Sequence, residues 1–157
     1  MTILGVTGHQ NIPPEALDYV IAGIRDCIKN QLGPLTGYSS LAAGADQLFA
    51  CELLAAGGEL VAIIPSQGYE TTFTVDGKRM YEELLAKCAD TVTLAFAEPC
   101  EEAFMAAGEE VISRSDVIVA VWDGQSAKGL GGTADAVAHA RLLKKNVVVV
   151  WPEGVRR

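Results

Sequence analysis

Three runs in this chain, LVAII at 60–64, VIVAVW at 117–122 and VVVVW at 147–151, are apolar at every position instead of every second one. A strand with one face in water alternates, whereas a strand covered on both faces reads as a continuous apolar run. The chain must therefore build a sheet with helices on both sides. Less continuous extended runs at 3–7, 34–38 and 91–95 bring the expected strands to six.

Helical patterns lie between them. After Pro13-Pro14, residues Leu17, Val20, Ile21, Ile24 and Ile28 recur at the spacing of one helical face. Further helices are expected over 45–56, closed by Gly57-Gly58, and over 79–87, 101–114 and 133–143. Strand and helix alternate from end to end without a repeat, linker or low-complexity stretch. The predicted architecture is α/β: one three-layer α/β/α, Rossmann-like domain over 1–157, with a mainly parallel sheet of about six strands.

A chain of 157 residues buries about 70% of its extended-chain surface and folds without a staple. Cys27, Cys51, Cys88 and Cys100 form no CxxC pair and read as free thiols of a reducing compartment, and His9 and His139 are too few for a metal cluster. No basic leader opens the chain and no apolar run reaches bilayer length, which predicts a cytoplasmic protein with no membrane partner. Twelve basic residues against twenty acidic ones leave a formal charge of −8, and on that ground no nucleic-acid partner is expected.

Right-handed crossovers carry every loop that follows a strand to one edge of the sheet, where ligands of open α/β sheets bind. The most informative of these loops is the last. Asp123-Gly124 stops an apolar strand, and Gly131-Gly132-Thr133 opens a helix with Asp135 in its first turn. The free N–H groups and dipole of such a turn favour a phosphate by roughly 0.3–1 kcal/mol, and glycine allows close approach. The plainer alternative makes Thr133 an N-cap and Asp135 a residue that suits the dipole. At the first strand end, the Thr7 hydroxyl and Gly8 backbone are placed to face phosphate or ribose, with His9 as a further ligand contact.

In SSLAAGAD, residues Ser39, Ser40, Gly44 and Asp46 either hold an anion or cap the second helix. After Pro65, Tyr69 and Phe73 either stack on a base or pack the loop. Ala103, Ala106 and Ala107 form a small-residue face that packs on its own sheet or on a second copy.

The blocks GVTGHQ at 5–10, SSLAAGADQLFA at 39–50, IIPSQGYETTF at 63–73, SDVIVAVWDG at 115–124 and GLGGTADAVAHAR at 129–141 together resemble the SLOG superfamily. That group joins the Smf/DprA DNA-processing proteins and the LOG (Lonely Guy) phosphoribohydrolases, long described as lysine decarboxylase-like. The resemblance covers nearly the whole chain and implies a modified Rossmann sheet that binds a nucleotide at its strand ends, commonly in a homo-oligomer. The LOG enzymes carry PGGxGTxxE with a catalytic Glu three residues after the Thr. Here that place holds Ala136, and Asp135 is the neighbouring carboxylate. SDVIVAVWDG at 115–124 with GGTAD at 131–135 is also similar to nucleoside 2-deoxyribosyltransferases, in which a carboxylate attacks the anomeric carbon.

The resulting expectation is a domain that binds, as a sensor, a nucleotide or nucleotide-derived small molecule. Gly8, Gly44, Gly131, Gly132 and Thr133 would cradle phosphate, with Asp46, Asp123 or Asp135 on sugar or on a divalent cation carried by the nucleotide, and Pro65 and Gly124 beside them. No cofactor is required. The alternative is an N-glycosidic hydrolase or transferase with Asp135 as its catalytic carboxylate.

Overall fold

The computed structural model of the chain describes residues 2–126 and 132–156. Strands and helices alternate in these residues: β1 (Thr2–Gly8), α1 (Pro14–Lys29), β2 (Leu35–Ser39), α2 (Ala45–Ala55), β3 (Glu59–Ser66), α3 (Val75–Ala86), β4 (Asp90–Phe96), α4 (Glu101–Ser113), β5 (Val117–Val121), α5 (Thr133–Leu142) and β6 (Asn146–Val149). A 3₁₀ turn, Tyr69–Thr72, precedes α3. All six strands pair in parallel in the order β4-β3-β2-β1-β5-β6.

That order follows from two directions of travel. The chain steps outward from β1 to β4, returns through α4 to the vacant side of β1, and steps outward again to β6. With right-handed crossovers, the helices of the steps from β1 to β4 share one face of the sheet, and those of the return to β5 and the step to β6, which travel the opposite way, take the other. Accordingly α1, α2 and α3 bury Val20, Ile24, Phe49, Leu53 and Leu84 with Leu4, Val6, Leu60 and Val119, whereas α4 and α5 cover Ile63 and Ile118 with Ala107, Val111, Ile112 and Ala140. Of the small-residue face, Ala103 and Ala107 are buried within the chain and Ala106 is half-buried.

Two boundaries differ from the sequence expectation. α3 begins at Val75 because Thr74 caps it, its hydroxyl accepting the Gly77 N–H at 3.1 Å; polar Asp76 and Gly77 mask this start in the sequence. β6 ends at Val149, and Trp151 turns aside to donate its indole N–H to the Val155 carbonyl at 2.8 Å.

Two glycines allow close backbone approach at the strand ends. Gly44 precedes α2 at φ 83°, and a Cβ there would run into the His9 and Gln10 carbonyls. A Cβ on Gly8 would meet Ala45 and Val121. Gly44→Ala combines a left-handed backbone with overpacking, so it should cost about 2–4 kcal/mol in urea unfolding. A loss below 0.5 kcal/mol would show that this contact is not as tight as described.

Candidate functional site

β1 and β5 are adjacent, yet the chain leaves them in opposite directions. Their carboxyl ends form the switch point at which open α/β sheets leave a crevice. A cavity of about 510 Å³ opens there, within the size range of small-molecule sites. Its floor is Val6, Thr7, Gly8 and Pro65, and Ser40, Ala42 and Asp46 form one wall. Tyr69, Phe73, Phe104 and Met105 make an apolar wall, and Glu109, Asp135, Ala136 and His139 complete the opening. Helices run antiparallel to the strands, so the beginnings of α2, α3, α4 and α5 all converge here.

The aromatic wall is a packed cluster. Tyr69 meets Phe73 edge-on at 5.0 Å and Tyr81 at 5.5 Å, while Phe73 stacks on Tyr81 at 4.7 Å. Phe104 joins from α4 with its ring 6.2 Å from Tyr69 and remains 37% exposed, which leaves an aromatic surface toward the opening.

The loop before α2 is held by the protein's own carboxylate. Asp46 accepts the Ala42 N–H at 3.3 Å and the Ser40 N–H, and the buried Ser39 hydroxyl accepts the Leu41 N–H at 3.0 Å while donating to the Asp46 carbonyl at 3.3 Å. These bonds fix Leu41, fully buried, at φ 59°, a conformation that costs a branched residue on the order of 1–2 kcal/mol. Burial pushes the Asp46 carboxyl up to about 7, against the two amide bonds that favour its charge. Burial also raises the neighbouring Tyr69 hydroxyl, and the Asp46 charge adds to that shift.

His9, 4% exposed, knits the strand ends together. Its backbone N–H donates to Val121 and its carbonyl accepts from Ala45, both at 3.1 Å. On its ring, Nε2 accepts the Asp123 backbone N–H at 3.1 Å and lies 3.2 Å from Asp123 Oδ1, while Nδ1 lies 3.4 Å from the Thr133 hydroxyl. The Trp151 indole stands edge-on to it at 5.3 Å. Nε2 thus meets both the amide and the carboxylate of Asp123, and Nδ1 faces the Thr133 hydroxyl, the donor and acceptor roles following the ring's tautomer. Asp123 also accepts the Gln125 N–H at 3.0 Å, which turns the chain through Gly124.

Among the sequence-predicted site residues, Thr7, Gly8, Ser40, Asp46, Pro65 and Asp135 line the cavity, whereas His9, Ser39, Gly44, Asp123, Gly124, Gly132 and Thr133 do not. Gly131 lies outside the described residues. Gly8 and Gly44 are also close-packed where a Cβ would point, and in the SSLAAGAD loop the Ser40 and Ala42 amides are bonded to the Asp46 carboxyl. Gly132, not Thr133, occupies the N-cap of α5. The α4 contribution, Phe104, Met105, Gly108 and Glu109, was missed; an exposed aromatic beside Met in a helix was its one local signal. Among the described residues no three His, Cys, Asp or Glu side chains group to hold a metal, and none of the helices is long and apolar enough to cross a membrane.

No family model and no curated protein matches the sequence. Solved structures do match its fold. DNA processing protein A from Helicobacter pylori aligns over 94% of this chain and 64% of its own, with a TM-score of 0.67 and 19% identity. The Streptococcus pneumoniae protein aligns over 94% and 50%, at 0.67 and 18%. The molybdenum cofactor carrier protein from Chlamydomonas reinhardtii aligns over 94% and 75%, at 0.54 and 19%. The chain thus spans less than two thirds of the DNA-processing proteins, and what it shares with all three is the fold. One expectation is overturned. The H. pylori protein binds single-stranded DNA, so a net charge of −8 does not exclude a nucleic-acid partner for a chain of this fold. Net charge sums the whole surface, whereas nucleic acid meets one face of it.

Asp46 gives the site a pH signature. Between about pH 4 and 7 the folded protein keeps a proton that the unfolded chain has released, so this group's stabilisation falls as pH rises through that window. Asp46→Asn removes the titration and keeps an oxygen for the Ala42 amide. The stability of the variant minus that of the parent, from urea unfolding at several pH values, should rise from pH 4 to about 7 and then level off. A flat or falling difference would place Asp46 in an ordinary solvated setting.

Proposed function

We propose that the cavity binds a nucleotide or a nucleotide-derived small molecule and that the domain acts as its sensor. One observation carries the reading: at the β1/β5 switch point the aromatics Tyr69, Phe73 and Phe104 and the polar residues Thr7, Ser40 and Asp46 line one cavity of about 510 Å³. A heterocyclic base stacks on the first, and sugar hydroxyls bond to the second. The shared fold with a DNA-binding protein and a cofactor carrier supports ligand binding in general. The test is calorimetric titration with nucleosides, nucleotides and ADP-ribose, with short single-stranded oligonucleotides alongside. Binding that Phe104→Ala weakens about tenfold is expected, the usual size of one lost base–aromatic stack. No heat and no thermal shift across the panel would sink the proposal.

A second reading follows from Asp135, a carboxylate exposed at the cavity opening. There it can serve as nucleophile toward an anomeric carbon, making the domain an N-glycosidic hydrolase or transferase. Free base should then appear on incubation with the bound nucleoside or nucleotide, and Asp135→Asn should abolish its release. Undiminished release by the variant would rule out this role for Asp135.

A further inference from the structure

Resting on that reading of the cavity, we propose that its preferred ligand is the uncharged nucleoside and that it discriminates against the phosphorylated forms. The charged side chains among the described lining residues are Asp46 from α2, Glu109 from α4 and Asp135 from α5, with His139 as the titratable base and no Lys or Arg. These carboxylates come from three separate helices. Each of them can accept hydrogen bonds from sugar hydroxyls or a base amino group, and none can donate one to a phosphate when ionised.

The helix beginnings point the same way. A helix start attracts phosphate through its positive dipole end, yet every helix start at this edge already carries its own acid in the first turn: Asp46 in α2, Asp76 in α3, Glu101 and Glu102 in α4, Asp135 in α5. At α2 the compensation is direct, because Asp46 occupies the Ser40 and Ala42 amides that an anion would need. At α5, Asp135 lies on the cavity side of the turn that Gly132 caps. Among the described residues, a phosphate entering here meets carboxylates where phosphate sites present amides and cations.

The nucleoside has the complementary chemistry. Its base covers the aromatic surface that Phe104 leaves exposed, and its hydroxyls donate to Asp46 and Asp135. Each added phosphate brings about −1.5 to −2 charges toward the carboxylates, a like-charge penalty that salt screens.

Adenosine, guanosine, cytidine and uridine, each with its 5′-monophosphate and 5′-diphosphate, are titrated into the full chain at low and high salt. The nucleoside that binds should do so about tenfold more tightly than its monophosphate at low salt, with the diphosphate weaker still. High salt should narrow the gap, as should Glu109→Gln and Asp135→Asn, both at exposed positions. Circular dichroism checks that the variants fold. A monophosphate that binds as tightly as its nucleoside, or a preference that neither substitution nor salt changes, overturns the proposal and leaves nucleotide binding standing. If no compound binds, the nucleotide-class reading of the cavity falls and this proposal with it.

Discussion

The strand-end edge depends on one buried residue, His9. Through its backbone it joins the last residue of β5 to the first of α2, and through its ring it reaches the Asp123 turn, the first residue of α5 and Trp151 beyond β6. An imidazole suits this place because its two nitrogens serve partners on opposite sides. One faces the Asp123 turn and the other the Thr133 hydroxyl, so a single ring ties both to the end of β1. Replaced by an apolar ring of similar size, the position would still fill space but would leave the Asp123 amide and the α5 entry without that common partner. The cavity wall formed by α5 is therefore set from behind, by a residue that does not line the cavity.

Asp46 plays a comparable part on the opposite wall. Its carboxylate satisfies the amides of a loop bent through a left-handed Leu41, and a bend of that kind persists only where the surroundings over-determine it. Such a loop is also a surface of fixed shape, which is what selective recognition of a rigid heterocycle requires. The acid that shapes the loop also denies its amides to an outside anion.

Much of this was legible in the chain. The all-apolar runs at 60–64 and 117–122 can only be strands covered on both faces, and that implies the three layers, the parallel pairing and the loop edge on which the cavity lies. What local pattern does not carry is who meets whom across the fold. That Gly8 and Gly44 are packed against Ala45, Val121 and the His9 carbonyl is one such fact. Phe104 and Glu109 belong to the site because α4 is the helix that returns across the sheet, a fact of strand order invisible in a window of α4 itself. Trp151 extends an apolar run and so reads as strand, although its partner is the His9 ring. The charge count failed for a different reason: it describes the molecule from afar, and binding is decided at one edge.

The return of the chain through α4 also has a meaning in time. β1 finds β2 nearby, Thr2 opposite Leu35, but its other neighbour arrives only when Asp116 reaches Ile3 across 113 positions of sequence. Contacts that span such distances carry the larger loop-closure entropy and generally form after local ones. The half of the sheet from β1 to β4 can assemble from neighbouring segments, whereas the cavity exists only once α4, β5 and α5 have closed over it. The cavity is thus a record of the completed fold, present only when both halves of the sheet have come together.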